Sequence, residues 1–203
     1  MPSLNRIVVA SNNAGKLREI SELLSPLGIQ AISQSSFAVT EVDEPHATFV
    51  ENALAKARHA SLLTGLPALA DDSGICVRAL NGAPGVFSAR YAGEPRSDVR
   101  NNQKLIEALR DQSDRRAYYY CVIVLLRHER DPQPMIVEDT WQGEIISEPR
   151  GDGGFGYDPY FFLPELGRTA AELPIEEKNR LSHRGKALTR LVRTLSGGEP
   201  DRA

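Results

Sequence analysis

The segment at 117–126, AYYYCVIVLL, is the longest β-type run in the chain and constrains the fold most. Its apolar residues are nearly continuous rather than alternating, so a strand built from it is covered on both faces and lies near the centre of a sheet. Helices are the usual cover, and the sequence supplies them between strands. RIVVA at 6–10 predicts a short strand, the turn residues at 11–15 a loop, and Leu17, Ile20, Leu23, Leu24 and Leu27 the apolar face of a helix. A second strand is predicted at 29–33. Thr48 and Glu51 have capping-box spacing ahead of ENALAKARHASLL, a helix closing near Gly65. Two short strands at 67–70 and 75–79 flank Asp71-Asp72-Ser73-Gly74, and NGAPG at 81–85 is a turn. Ser97 or Asp98 caps a helix carrying Val99, Leu105, Ile106 and Leu109. MIVE and WQGEII predict further strands, and a last helix runs from about 175 to 195 with its basic face outward. Strands alternating with helices make an α/β fold.

With 203 residues, 41% hydrophobic and 25% charged, the composition is that of a soluble globular protein. A chain this long buries roughly 70% of its unfolded surface and needs no metal or disulfide merely to fold. The two cysteines, Cys76 and Cys121, sit in apolar runs and read as buried hydrophobes in a reduced compartment. The N-terminus has a four-residue apolar stretch before Ser11, far short of a signal peptide or a membrane span. A cytoplasmic location without a membrane partner is expected. The 24 basic and 27 acidic side chains give a net charge of −3, which argues against nucleic acid as a partner. The charge is uneven: Glu41, Asp43, Glu44 and Glu51 cluster in one segment, and Lys178, Arg180, Arg184, Lys186, Arg190 and Arg193 in another. An acidic patch for a cation and a basic patch for an anion can coexist.

Four motifs carry chemistry. A strand, then Ser11-Asn12-Asn13-Ala14-Gly15-Lys16, then a helix places backbone N–H groups and an ammonium at a helix start, a natural phosphate site. A Walker A loop would need Gly at 10 and Ser or Thr at 17, where this chain has Ala10 and Leu17. The plainer alternative is a tight connection with a solvated lysine. Asp71 and Asp72 follow an apolar strand, so extended backbone sends their side chains to opposite faces and one of them faces any given cleft. That residue can hold Mg²⁺ or orient a water, where the plainer reading is an Asx turn. His46, His59 and His128 lack ligand spacing and read as surface residues. In Gly153-Gly154-Phe155-Gly156-Tyr157-Asp158-Pro159, backbone can approach a ligand while a ring stacks on a nucleobase; a turn anchored by two core aromatics is the alternative. Ser182-His183-Arg184-Gly185-Lys186, after Lys178, offers donors for an oxygen-rich ligand or else a solvated helix face.

Taken together, VVASNNAGKLREI, FVENALAKARHA, ADDSGICVRALNGAPGVFSARYAG, GGFGYDPYFF and LSHRGKAL resemble the inosine triphosphate pyrophosphatase (Ham1-like) family of house-cleaning nucleotide hydrolases. The resemblance covers about residues 6–195, five blocks in the right order. It implies an elongated mixed central sheet flanked by helices, in one two-lobed domain over 1–196 with the active-site cleft between the lobes; the tail at 197–203 reads as flexible and disposable from its own residues. It also implies a homodimer and Mg²⁺-dependent hydrolysis of ITP, dITP or XTP to the monophosphate and pyrophosphate.

By the same resemblance Ser11, Asn12, Asn13, Ala14, Gly15 and Lys16 form the phosphate-binding loop, Asp72 is the general base and a metal-linked acid, and Ser73 lies beside the substrate. Phe155, Gly156, Tyr157 and Asp158 hold base and sugar, and Lys178, His183 and Arg184 contact base and phosphates. The second metal-linked acid is Glu41, Asp43 or Glu44, with Glu41 preferred. Tyr118-Tyr119-Tyr120 stands where the family pattern implies one phenylalanine, a change expected to affect packing and leave chemistry alone. Two other readings fit the residues less well: a Maf-like pyrophosphatase of modified pyrimidine nucleotides, and a non-catalytic nucleotide-binding module.

Overall fold

The protein is described by a computed structural model over residues 4–197. In chain order the elements are β1 (Arg6–Val9), α1 (Ala14–Leu24), β2 (Gln30–Ser33), α2 (Phe49–Thr64), β3 (Ala68–Val77), α3 (Asp98–Ala108), β4 (Arg116–Leu126), β5 (Met135–Ile145), β6 (Phe161–Leu163), β7 (Arg168–Thr169), α4 (Ile175–Leu181) and α5 (His183–Leu195). The strands form a seven-stranded sheet in the order β2-β1-β3-β4-β5-β6-β7, so the fold is α/β and β4 is its middle strand. The near-continuous apolar run demanded that place, and Cys121 to Leu126 are all buried. The sheet is mixed. β1 runs parallel to β2 and β3, pairing Val8 with Ala68 and Val9 with Leu69, whereas β6 is antiparallel to β5 and β7.

By contacts the described residues divide into two units, one of 4–72, 122–138 and 187–197, the other of 73–121 and 139–186. In the first, α1 packs on β2 and α2 on β1. Thr48 starts α2, its hydroxyl accepting from the Glu51 N–H at 3.4 Å and donating to the Glu51 carboxylate at 2.6 Å. Gly65, in the left-handed conformation, ends it. The buried face of α2 carries Ala53, Ala57 and Ala60, small enough for close approach, and one fully buried amide, Asn52. In the second unit, Ile75, Val77, Leu105, Leu109, Tyr119, Trp141, Ile145, Tyr157 and Phe161 are among the residues forming an apolar cluster.

Three elements differ from the sequence expectation. The two strands predicted around 71–74 are one, β3, because both aspartates find lysine partners and stay in extended backbone. MIVE and all but the last residue of WQGEII likewise belong to a single β5. The helix predicted over 175–195 is broken at Ser182 (φ −68°, ψ 157°), whose hydroxyl accepts from the Gly185 N–H at 3.2 Å and starts α5. The break lets Gly185 sit against Asn179, where a Cβ would overlap the Asn179 carbonyl oxygen. Most of the tail expected at 197–203 lies outside the described residues. Among the described residues no helix is long and apolar enough to cross a membrane.

Candidate active site

The first unit gathers the acidic and phosphate-loop residues. Asn13 caps α1, its side chain accepting from the Lys16 N–H at 3.1 Å, and the Ser11 hydroxyl accepts from the Asn13 N–H at 3.2 Å. Asn12 donates to Glu41 at 3.1 Å and accepts from Gln34 at 3.2 Å, which ties the exposed loop down from both sides. Alternation along β3 divides the two aspartates as extended backbone requires. Asp71 takes Lys16, whose Nζ lies 3.0 and 2.8 Å from its two oxygens. Asp72 takes Lys56 at 3.3 Å and the Asn52 amide at 3.3 Å.

Lys56 also donates to Glu44 at 2.6 Å, so two carboxylates from separate segments converge on one ammonium. Glu44, not Glu41, is thereby joined to Asp72. Asn52 fixes the arrangement: its carbonyl accepts from the His46 N–H at 3.1 Å while its amide donates to the His46 carbonyl and to Asp72, locking the acidic loop to β3. Burial pushes the Asp72 carboxyl above its ordinary range, Lys56 draws it back down, and the Glu44 charge adds to the rise. On Lys56 burial acts to lower the ammonium pKa, but Asp72, Asp71 and Glu44 together outweigh it and the pKa is raised.

Neither Lys56 nor Asn52 is among the residues singled out from the sequence. The available signal was their i, i+4 spacing, which puts a polar pair on one side of a helix whose buried face is otherwise mostly alanine.

The second unit gathers the base-loop and C-terminal residues. Phe155 is exposed, whereas Tyr157 is buried and donates its hydroxyl to the Ser88 carbonyl at 2.8 Å, so one aromatic is free to stack and the other anchors the loop. Asp158 is 3% exposed; its carboxylate accepts from the Phe155 N–H at 2.7 Å, from Tyr119 at 3.2 Å and from Lys178, which closes the loop on itself. Gly154, at φ +74°, leaves room for that carboxylate where a Cβ would collide with it. Gly156 is held at both ends, its N–H donating to Asp98 and its carbonyl accepting from Asn102, each at 2.8 Å. Lys178 Nζ also lies 4.8 Å from the centre of the Phe155 ring. Arg184 donates to the Ser73 hydroxyl at 3.3 Å, and the His183 ring stacks on Tyr119, 4.8 Å between centres and 7° from parallel.

A carboxylate pair on one cation beside a capped helix start, and a glycine-bearing loop with an exposed ring, are the parts a nucleotide-handling protein needs. A family model described as the Ham1 family matches residues 7–194. The chain belongs to the Ham1 family. Among similar proteins, one from Nitrosomonas europaea named dITP/XTP pyrophosphatase is 80% identical, over 97% of this chain and 97% of its own. One of the same name from Ralstonia nicotianae is 62% identical over 95% and 97%. Among solved structures, a Ham1 protein from Coxiella burnetii aligns with a TM-score of 0.93 at 54% identity, over 95% of this chain and 99% of that one. The Ham1 protein of Staphylococcus aureus gives 0.88 at 40% identity, over 95% and 98%.

Proposed function

We propose that this chain is a nucleoside triphosphate pyrophosphatase that hydrolyses dITP, XTP and ITP to the monophosphate and pyrophosphate. The observation that carries the reading is the convergence of Glu44 and Asp72 on the Lys56 ammonium, in a member of the Ham1 family whose relatives are named dITP/XTP pyrophosphatase.

The residues fit Mg²⁺. Mg²⁺ takes oxygen ligands and commonly uses one or two carboxylates, with substrate phosphates and waters completing the set. Among the described residues no group of three His, Cys, Asp or Glu is arranged to hold a metal, so a two-carboxylate set is what the chain offers. Asp72 and Glu44 would hold the ion, with Glu44 replacing the Glu41 preferred from sequence. Bound there, it would neutralise triphosphate charge as the anhydride breaks.

Asp72 orients a water and takes its proton. The water oxygen bonds to the α-phosphorus, the α–β anhydride bond breaks, and pyrophosphate leaves. Lys16 and the N–H groups of the 11–16 loop hold the leaving phosphates, and Lys56 holds the two carboxylates in register. Most of the acceleration comes from positioning and charge stabilisation, as in other phosphoryl chemistry. In the second cluster Phe155 stacks on the base, and Lys178, His183 and Arg184 contact the base and phosphates. Donors from His183 and Arg184 reward the 6-carbonyl of hypoxanthine and xanthine and are left unpaired against adenine.

Pyrophosphate release from ITP, dITP, XTP, GTP, ATP and dTTP, with Mg²⁺ and then with EDTA, tests the reading. Turnover that needs Mg²⁺ and is confined largely to ITP, dITP and XTP is expected; none under either condition would refute it. The homodimer belongs to the same proposal, and a monomer by light scattering would remove it.

A further inference from the structure

Tyr119 stands in the first half of β4, inside the apolar cluster of the second unit, with its ring against Phe161 (4.6 Å between centres, 60° tilt) and Trp141 (6.4 Å, 26°). A phenylalanine would fill that place. The hydroxyl is nevertheless put to use: it donates to Asp158 Oδ1 at 3.2 Å, while the Phe155 N–H and Lys178 both bond Oδ2. Burial, with the Asp158 carboxylate second, pushes the phenol well above its ordinary pKa, so it stays protonated and can only serve Asp158 as a donor. One face of the same ring carries the His183 imidazole, nearly parallel at 4.8 Å. A single side chain therefore touches both segments that bear the candidate base-reading groups, the 153–158 loop through its hydroxyl and the start of α5 through its ring.

We infer that Tyr119 is a positioning residue for base recognition, its hydroxyl setting the Phe155–Asp158 loop and its ring setting His183. This rests on the reading of Phe155, His183 and Arg184 as the base-contacting residues. The inference departs from the sequence expectation that the tyrosine run at 118–120 affects packing and leaves chemistry alone. Removing the hydroxyl leaves Asp158 Oδ1 buried without that donor, while the bonds to Oδ2 are free to rotate the carboxylate and carry Phe155 with it. Removing the ring also takes away the face on which the imidazole stacks. Tyr119 acts through the loop and His183, both read as serving the base, so the effect belongs to substrate recognition and not to the hydrolytic step.

The test uses Tyr119→Phe and Tyr119→Leu in the full chain, each checked for retained fold by thermal melting. For Tyr119→Phe the KM for ITP should rise about tenfold, the scale set by losing one hydrogen bond to a charged acceptor, with a smaller change in kcat. The preference for ITP over ATP should fall in step. Without any nucleotide, the amides of 153–158 should exchange with deuterium faster than in the parent. Tyr119→Leu should lower the preference further. If it does not fold, Tyr119→Phe alone decides. Unchanged KM, preference and amide exchange in a folded Tyr119→Phe protein would overturn the inference. A parent protein without preference for ITP would instead overturn the proposed function, and the exchange measurement would still decide whether Tyr119 holds the loop.

Discussion

The ammonium of Lys16 is held by both oxygens of Asp71, at 3.0 and 2.8 Å, which fastens the start of α1 to β3 across 55 positions of sequence. The carboxylate is 5% exposed and the lysine side chain 22%, so the pair is largely withdrawn from water. Breaking such a pair from one side strands a charge. Asp71→Asn should cost about 2–4 kcal/mol in urea denaturation, and Lys16→Met combined with Asp71→Asn should recover most of it. A double variant no more stable than the single one would show that the coupling is not electrostatic.

Lys56→Met removes the ammonium that joins Glu44 to Asp72. Pyrophosphate release at saturating Mg²⁺ should fall by about 10²–10³, the usual scale for removing one preorganised electrostatic group. Near-normal turnover would make Lys56 a structural tether only.

The Asp72 carboxyl titrates above its ordinary value of 3.8, first because it is buried and also because Glu44 is near, against the pull of Lys56. The folded protein thus binds this proton more tightly than the unfolded chain. Its contribution to stability is present below the ordinary value and is lost as pH rises through the raised one. In metal-free protein, ¹³C NMR of labelled aspartate should give an Asp72 midpoint above 3.8, and Glu44→Gln should move it down. An upward move would mean that Glu44 is not the charge responsible.

Asp131 works in the opposite sense. It is buried in the turn between β4 and β5, accepting from the N–H groups of Arg127 and Gln133 and from the Arg127 guanidinium, which holds its pKa below the ordinary carboxylate range. Its stabilisation is therefore full above 3.8 and is lost as pH falls through the lower, folded value. Asp131→Asn should lower the melting temperature at pH 7, by an amount that shrinks toward pH 3. A penalty independent of pH would assign the loss to shape rather than charge.

Much of this was readable in advance because it is local. The apolar run at 117–126 put β4 in the middle of the sheet, the Thr48 and Glu51 spacing marked the start of α2, and the five blocks identified the family. What local pattern missed depends on partners far away in sequence. Asp71 and Asp72 look like turn residues until Lys16 and Lys56 are brought to them, and only then does one strand replace two. The choice between Glu41 and Glu44 was equally invisible. Both are acids in one loop, and it is the buried Asn52 that fixes His46, and with it which of them reaches Lys56. The break at Ser182 was hidden for another reason: apolar spacing continues across it, and its marks are the Ser182 hydroxyl bonding the Gly185 N–H and the contact of Gly185 with Asn179.

That contact has a genetic corollary. Every single-base change in a glycine codon that is not silent brings in a side chain or a stop, and at 185 any side chain meets the Asn179 carbonyl. The turn that sets Lys178 on one helix and His183 and Arg184 on the next therefore has no missense neighbour that preserves it. In a saturation library selected for growth on a nucleotide-stressed host, position 185 should be among the most depleted columns, and suppressors should arise by shortening or shifting α4 rather than by shrinking the new residue.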